Sequence, residues 1–433
     1  MTNDRSCSGQ IPSQEEVQRG SLGMTNSTTK QRGTALAIAL TLGLAGFVDF
    51  TPSRAHAYQK QSAVPTSGAW RSFHFNSART GSNNSETTLS RTNVSTLRRK
   101  WSTRLGPLQG GSLDSVASSP AVANGTVYIG STDKRFDALD AHTGTIKWRV
   151  VTGGSISASA AIAGGMVFVC SGDGVLHAFR STDGTTVWSR RLTPGIVTSP
   201  AVVGGIVYQA AGTTLYALNA KTGAVVWSVQ APDSGPFTTP AVNKGLVIIE
   251  SGVNWCCAFT LHVEAFNATS GSLVWSFATS GTNGETAGIG PLVSGGVVYV
   301  GTGPSTQLIA FNAANGAVLW VAPSRDQVSS IPTISGGVLY VEESSTLAWF
   351  DAATGQNISF ISGSGANGSP AFANNVLYTT EGSLVAAWTP GGFRPLWTAA
   401  PGGFGILQSS PAVVDGMLFV GSNSNTVVAY GLP

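Results

Sequence analysis

The segment with the clearest capacity for chemistry is NWCCAF, residues 254–259, in which Cys256 and Cys257 adjoin each other directly behind Trp255. Adjacent thiols can form a redox or ligand site, and they can equally stiffen a turn. The chain contains only four cysteines and 10% charged residues, so this concentration of reactive side chains needs an explanation. The explanation depends on where the fold places the segment.

The composition predicts an all-β protein. The 433 residues include 54 glycines and 42% hydrophobic residues, whereas the charged fraction of 10% lies well below the roughly 25% of an average soluble domain. Low charge combined with high hydrophobic content excludes disorder. Glycines between short runs of Val, Ile, Tyr and Phe are typical of strands joined by tight turns.

One motif recurs along the chain. It begins as ALDAHTGTIKW (138–148) and returns as AFRSTDGTTVW (178–188), ALNAKTGAVVW (217–227), AFNATSGSLVW (265–275) and AFNAANGAVLW (310–320). Degenerate copies are WFDAATGQNISF (349–360) and AAWTPGGFRPLW (386–397). The turn glycines are 39 to 48 residues apart, a period typical of the blades of a β-propeller.

A two-residue hairpin turn recurs with the same period as this motif. Together the two patterns predict four strands in each repeat. Two-residue turns such as Asn124-Gly125 and Asp415-Gly416 suit a right-twisted hairpin. In the first repeat we predict strands A to D at Ala121–Ala123, Val127–Gly130, Arg135–Asp140 and from Ile146 onward. The Trp of strand D is predicted to pack between neighbouring units.

The eighth repeat ends after strand C at Pro433, so its strand D must come from elsewhere. Residues 97–105, LRRKWSTRL, precede the first repeat and carry Trp101 where a strand D has its Trp. We therefore predict an eight-bladed β-propeller of four-stranded antiparallel blades, closed by this N-terminal strand, which leaves no open edge on the C-terminal strand. The propeller would occupy residues 97–433, after a lead-in segment at residues 58–96.

The first 57 residues predict export. Lys30 and Arg32 precede an apolar stretch at residues 34–48, and the triplet Ala55-His56-Ala57 suits cleavage after Ala57. An uncleaved anchor is the alternative, although these 15 residues are short of the ~20 that span a bilayer. We expect a secreted, periplasmic or cell-surface protein, and therefore no nucleic-acid partner.

The motif Ala-x-Asp/Asn-x-x-Thr-Gly-x-x-x-Trp resembles the tryptophan-docking repeat of quinoprotein-like (pyrroloquinoline quinone, PQQ) β-propellers, over residues 69–433. The resemblance implies either a PQQ-dependent alcohol or sugar dehydrogenase or a cofactor-free scaffold, such as the lipoprotein of outer-membrane barrel assembly. The enzymes hold PQQ and calcium with carboxylate and amide ligands, aim an Arg at the quinone, and set a vicinal cysteine ring against it. The sequence around WCC does not otherwise match theirs, so PQQ with calcium is expected only under the enzymatic alternative.

Propeller topology places D–A and B–C connections on one face. That face receives the six residues of the candidate ligand site, which are Trp255, Cys256 and Cys257 in the B–C loop of blade 4, Glu285 after blade 4, and Arg325 and Asp326 after blade 5. A loop tied locally by its cysteines is the alternative. Cys170 is predicted to be a buried small hydrophobe.

Charge is distributed unevenly along the chain. Residues 58–191 contain 15 Lys and Arg against 7 Asp and Glu, whereas residues 192–433 contain 4 against 10. One sector of the ring is therefore basic, around Arg98, Arg99, Lys100, Lys134, Arg135, Arg190 and Arg191, which suggests peripheral association with an anionic envelope or partner. We expect a monomeric, non-catalytic propeller that binds a protein, glycan or small ligand, with a PQQ-dependent oxidoreductase as the alternative.

Overall fold

The computed structural model describes residues 69–106, 115–232, 235–255, 258–281, 290–302, 306–328, 330–362, 368–403 and 407–433. Within strands, the side chains of residues 253–260 and 279–281 are left undescribed. The signal peptide and its cleavage near Ala57 lie outside these ranges and stay predictions. Among the described residues, no helix has the length and hydropathy needed to cross a membrane.

The described strands form eight sheets in a ring, which confirms the predicted eight-bladed propeller. Blades 1 and 2 contain β3 (Ala121–Ala123), β4 (Thr126–Gly130), β5 (Arg135–Asp140), β6 (Ile146–Val151), β7 (Ala161–Ala163), β8 (Met166–Ser171), β9 (Val175–Arg180) and β10 (Thr186–Arg191). Blades 3 and 4 contain β11 (Ala201–Val203), β12 (Ile206–Ala211), β13 (Thr214–Asn219), β14 (Val225–Gln230), β15 (Ala241–Asn243), β16 (Leu246–Trp255), β17 (Ala258–Asn267) and β18 (Leu273–Gly281).

The second half of the ring repeats the pattern. Blades 5 and 6 contain β19 (Leu292–Ser294), β20 (Val297–Thr302), β21 (Gln307–Asn312), β22 (Val318–Pro323), β23 (Thr333–Ser335), β24 (Val338–Glu342), β25 (Thr346–Asp351) and β26 (Asn357–Ser362). Blades 7 and 8 contain β27 (Ala371–Ala373), β28 (Val376–Glu381), β29 (Leu384–Trp388), β30 (Pro395–Ala399), β31 (Ala412–Val414), β32 (Met417–Ser422), β33 (Thr426–Gly431) and β2 (Arg98–Arg104). The lead-in adds the short strand β1 (Ser82–Asn83) and a 3-10 turn at Val94–Thr96.

The predicted hairpin turns have the backbone conformation that their residues favour. Asn124 and Gly125 have φ values of 51° and 64°, and Asp415 and Gly416 have φ values of 53° and 72°. Positive φ at both central positions is the turn that matches the twist of the flanking strands. Each turn joins a three-residue inner strand to the second strand of its blade.

The ring closes as the sequence predicts, because β2 is the outer strand of blade 8. Strand β2 pairs antiparallel with β33, and Trp101 lies opposite Ala429. Trp101 is buried, and its indole N–H donates to the carbonyl of Ala141 in blade 1 at 2.9 Å. The strand that precedes the first blade and the last strand of the chain therefore share one sheet.

Each tryptophan of the repeat fastens its blade to the next one. Six further indole N–H groups donate across blades over 2.8–3.1 Å, from Trp148, Trp188, Trp227, Trp275, Trp320 and Trp397. The six-membered ring of each of these indoles except that of Trp397 lies against the turn glycine of the following blade. A Cβ atom on Gly223 would lie 2.7 Å from Trp188, so only glycine fits beneath the indole.

The lead-in runs along the axis of the ring and passes the blades in their own order. Its main chain hydrogen-bonds to the middle residue of an inner strand in blades 1, 2, 4, 5, 6 and 7, through the pairs Trp70–Val122, Arg71–Ile162, Ser77–Val242, Ala78–Val293, Thr80–Ile334 and Gly81–Phe372. The Asn83 amide donates to Val413 in blade 8, and the Arg79 guanidinium donates to the carbonyls of Ser199 and Pro200 that precede blade 3. The inner strands are sheet edges whose amides need partners, and the lead-in supplies them.

Blade 4 differs from the other blades in the length of its strands. Strands β16 and β17 each have ten residues, whereas the equivalent strands elsewhere have five or six, and the outer strand β18 has nine. Trp255, which was predicted to lie in the B–C loop of blade 4, is instead the last residue of β16 and pairs with Ala258 of β17. The described strands of blade 4 therefore extend into the segment that was predicted to be a loop.

Candidate functional site

The structure places Arg325 and Asp326 between blades 5 and 6, in the connection from β22 to β23. The Asp326 carboxylate accepts a hydrogen bond from Ser345 Oγ at 2.8 Å, and Ser344 N donates to the carbonyl of Gln327 at 2.9 Å. Since Ser344 and Ser345 form the B–C turn of blade 6, the two kinds of connection share one face as predicted. The Arg325 guanidinium lies over the Phe360 ring, 3.5 Å from its centroid.

The remaining residues of the candidate ligand site are not tested by these contacts. Trp255 ends β16, but its side chain is among those left undescribed. Cys256, Cys257 and Glu285 lie outside the described residues. Cys170 is buried in β8 without a disulfide, and burial raises the pKa of its thiol to about 12, which leaves it unreactive.

Buried carboxyl groups form a second feature of the same face. Glu250 is fully buried near the middle of β16, and burial raises the pKa of its carboxyl to about 8. Neither carboxylate oxygen has a hydrogen-bond partner within the described residues. At neutral pH the side chain is therefore largely protonated, because a buried unpaired charge is costly.

Blades 6 and 7 add three further carboxyl groups whose pKa is raised, of which Glu342 and Glu343 are buried and Glu381 is half-buried. Glu342 is buried, and its pKa is raised by burial and then by the charge of Glu381. The pKa of Glu343 is raised to about 7, chiefly by burial, while the Arg325 amide donates to this carboxylate at 3.3 Å. Burial likewise raises the pKa of Glu381. Glu343 thus connects the predicted residue Arg325 to the buried acidic groups.

These carboxyl groups were missed from the sequence, although a signal for them exists. Glu250 and Glu342 occupy the fifth position of a second strand, where blades 1, 5 and 8 have Gly130, Gly301 and Gly421. At those glycines an added Cβ would collide with Ile156, Val328 and Val116, the aliphatic side chains of the following connections. Aligning the second strands would have identified a glutamate where other blades keep space for an aliphatic side chain.

The axis of the ring contains a buried cation. Arg79 is fully buried, and its guanidinium donates to the carbonyl oxygens of Phe73, Ser199, Pro200 and Pro240 over 2.8–3.1 Å. Burial lowers the pKa of Arg79 to about 9, so the group stays charged at neutral pH. The N–H groups of this side chain thus donate to main-chain carbonyl oxygens.

A buried histidine fixes the same segment. His74 Nδ1 lies 2.6 Å from the carbonyl oxygen of Arg79, and Nε2 lies 2.9 Å from Thr333 Oγ1. Burial lowers the pKa of His74 to about 4, so the imidazole is neutral at physiological pH. The role of His74 is therefore structural.

The described residues do not fit the calcium and quinone set that the resemblance implies. No group of three or more His, Cys, Asp or Glu side chains in the described part of the chain is arranged to hold a metal ion. The arginine on the axis is committed to carbonyl oxygens rather than aimed at an open position. We derive no step of chemistry through PQQ for this arrangement.

The outer strands differ around the ring. Strands β2, β6 and β10 of blades 8, 1 and 2 carry exposed Arg or Lys, whereas the outer strands of blades 3 to 7 contain no charged residue. Blades 3 to 5 expose pairs of aliphatic residues there instead, Val225 with Val226, Leu273 with Val274, and Val318 with Leu319. The predicted basic sector is therefore a real surface, although Arg135 is half-buried and ion-paired with Asp133.

Comparisons with known proteins agree with this architecture. The structure is similar to that of BamB from Moraxella catarrhalis, with a TM-score of 0.61 and 17% identity over 77% of this chain and 97% of that one. It is also similar to a europium-containing methanol dehydrogenase, with a TM-score of 0.69 and 14% identity over 84% and 98% of the two chains. A quinohemoprotein alcohol dehydrogenase from Comamonas testosteroni gives a TM-score of 0.67 and 15% identity over 84% and 80%. At these identities the likeness shows the fold alone, and no curated protein matches the chain.

A family model gives the more specific result. The model described as outer membrane protein assembly factor BamB matches residues 76–199, 172–262 and 260–358, which together span well over half of the chain. The matched segments contain the repeat motif and the blade-joining tryptophans from Trp101 to Trp320, but not Trp397. The chain thus belongs to the PQQ-like repeat family described as outer membrane protein assembly factor BamB.

Proposed function

We propose that the protein is an exported, non-catalytic propeller that acts as a binding scaffold, with a protein as its partner. The observation that carries this proposal is the extended blade 4. Its outer strand β18 is nine residues long, contains no charged residue, and pairs with β17 alone within the described residues. A long uncharged edge strand is a template to which an extended segment of another protein can add.

Two further observations support a scaffold. The axis of the ring is filled by the lead-in, so the surfaces left for a partner are the outer edges and the connections. Membership of a family named for an assembly factor favours a protein over a glycan or a small ligand. The PQQ-dependent oxidoreductase is not favoured, because the described residues do not assemble its ligand set.

Site-specific photo-crosslinking tests the edge strand. A photoreactive residue in place of the exposed Ala278 of β18 should give one discrete, protease-sensitive adduct in the exporting cell. The same residue at the exposed Val226 of β14, a six-residue outer strand, is the matched control and should give none. Val274→Lys should abolish the adduct, because a lysine on an edge opposes strand addition. Equal adducts from both positions, or none from either, would contradict the proposal.

A separate measurement tests the enzymatic alternative. Purified protein mixed with PQQ and calcium should show no change in quinone absorbance and no dye-linked alcohol oxidation. Saturable binding of the quinone with turnover would overturn the non-catalytic assignment.

A further inference from the structure

We propose that one corner of the ring, at blades 8, 1 and 2, is a docking surface for an anionic lipid bilayer. The corner, named here the basic corner, consists of Arg104, Lys134, Arg190 and Arg191 with the aliphatic residues Val151 and Ile196. The corner does not include blade 4, which carries β18. The docking proposal goes beyond the proposed scaffold function, and the scaffold function would stand even if the docking proposal failed.

Contacts between neighbouring turns bring the first two cations together. Arg104 pairs with Thr426 at the end of β2, beside the B–C turn of blade 8. In that turn, Asn425 Nδ2 donates to the Asp133 carboxylate of the B–C turn of blade 1 at 3.0 Å. Lys134 follows Asp133 directly, so Arg104 and Lys134 lie beside two turns of adjacent blades that are joined by a hydrogen bond.

The aliphatic residues lie in the same row of connections. Val151 lies opposite Arg135 in the pairing of β5 with β6, and Thr152 N donates to the carbonyl of Lys134 at 2.8 Å. Val151 is therefore a neighbour of Lys134. Ile196 follows Arg191 in the connection from blade 2 to blade 3, where its carbonyl accepts from Gly212 N at 2.8 Å.

The cations of the corner are not ion-paired, although Arg191 Nη1 donates to the main-chain carbonyl of Asp173 at 3.0 Å. Arg104, Lys134, Arg190 and Arg191 are exposed, and none has a carboxylate within ion-pair distance in the described structure. By contrast, Arg135, Lys147, Arg149 and Arg180 each pair with an aspartate of their own blade. The aspartates in the B–C turns of blades 1 and 2 form hydrogen bonds within their own turns. The Asp133 carboxylate accepts from Ser131, and the Asp173 carboxylate accepts from Ser171.

The exposed aliphatic side chains favour a bilayer over a soluble polyanion. Val151 and Ile196 are 68% and 63% exposed, and among the large hydrophobic residues of the described chain only Phe393, at 69%, is more exposed. A phosphate polymer would leave both side chains in water. A bilayer gives the cations anionic headgroups and the aliphatic groups the boundary of the acyl region, while the long cationic stems reach between them.

Vesicle co-sedimentation of the full-length chain tests the proposal. We expect binding to vesicles of phosphatidylcholine with one quarter phosphatidylglycerol, and little binding to phosphatidylcholine alone. The double variant Arg104→Glu with Arg191→Glu should bind at least about tenfold more weakly, since each cation near an anionic surface contributes to attraction within a Debye length. The N-terminal residues are the same in every variant, so differences between variants report on the corner.

The matched control is Arg98→Glu with Arg99→Glu, which changes the net charge equally. Arg98 lies six residues from Arg104 along β2, roughly 20 Å away, beyond the screening length of about 8–10 Å. This control should retain binding. The double variant Val151→Ser with Ile196→Ser should show less vesicle binding at high salt than the parent. Phe393→Ser should bind at high salt as the parent does.

Three outcomes would overturn the proposal. Absence of binding to anionic vesicles is the first, and an equal loss in both charge-reversal variants is the second, because net charge alone would then account for it. The third is retention on a heparin matrix through the same residues without vesicle binding, which would identify a soluble polyanion as the partner.

Discussion

Glu250 shows how one side chain can set the pH dependence of stability. In the unfolded chain its carboxyl ionises near pH 4.5, whereas in the folded protein its pKa is about 8. Between these values the unfolded state has already lost the proton that the folded state retains. The contribution of Glu250 to stability is therefore fully present below pH 4.5 and is lost as pH rises towards 8.

We expect Glu250→Gln to remove this dependence. Relative to the parent, the variant should be similar in stability at pH 4.5 and more stable by on the order of 2–4 kcal/mol at pH 8.5, since each pKa unit corresponds to about 1.4 kcal/mol. Urea unfolding at both pH values measures the difference. Asp351→Asn is the control, because hydrogen bonds from Thr354 lower the pKa of that exposed carboxyl. If Glu250→Gln changes stability by the same amount at both pH values, this assignment is contradicted.

The hydrogen bonds of Arg79 on the axis of the ring allow a second test, of their contribution to stability. Lysine has three donors and no planar fork, so Arg79→Lys cannot serve the four carbonyl oxygens that the guanidinium serves. We expect a loss of at least about 2–3 kcal/mol of unfolding free energy, since hydrogen bonds from charged groups are the strong ones. Arg91→Lys, at an exposed position of the same lead-in, should change stability by less than about 0.5 kcal/mol. Equal effects would show that the axial contacts do not matter for stability.

The contacts of Arg79 could not be predicted from its sequence context, and the surroundings of Glu250 could be predicted only in part. The segment around Arg79 has no alternating pattern, because its partners are carbonyl groups distributed over several blades rather than a neighbouring strand. Glu250 lies in an apolar strand where burial is expected, but only the fold shows that the position faces the space filled by aliphatic side chains in other blades.

The turn glycine under an indole allows two neighbouring blades to pack closely. Gly223 and Gly205 both have positive φ, 69° and 79°, so alanine costs a similar backbone strain at each. A Cβ on Gly223 would lie 2.7 Å from Trp188, whereas a Cβ on Gly205 would meet nothing within 4 Å. Gly223→Ala should therefore destabilise by about 1–3 kcal/mol more than Gly205→Ala, the usual cost of overpacking.

Thermal unfolding of the two alanine variants measures this difference. The backbone effect is common to both, so the surplus at Gly223 reports on the packing of Trp188 alone. Equal transition temperatures would mean that the indole moves away freely, which would contradict the role given to the tryptophan.

Strands and turns were predictable wherever their residues repeat. The first blade has β3 and β5 at the predicted bounds, and the Asn124-Gly125 turn has the predicted conformation. Blade 4 was read differently, as a loop around Trp255, because the chain between the two predicted strands gives no turn signal. The two strands instead continue to ten residues each, which only their pairing with each other and with β18 shows.

The lead-in contributes to the stability of the ring separately from β2. A chain that begins at residue 84 keeps β2 but lacks the segment that hydrogen-bonds along the axis. We expect it to remain a monomer with a transition temperature well below that of a chain beginning at residue 61, because the inner-strand amides then lose their partners. Scanning calorimetry with light scattering distinguishes this outcome from an unchanged transition.

Closure of the ring by the N-terminal strand underlies both the scaffold and the docking surface, since β2 completes blade 8 and carries Arg104. Removing residues 61–105 takes away β2 together with the axial segment and leaves β33 as an open edge. Calorimetry coupled to size-exclusion light scattering should show that a chain beginning at residue 106 has no cooperative transition, or associates through that edge. A monomer that unfolds at the same temperature as the chain beginning at residue 61 would contradict the closed ring.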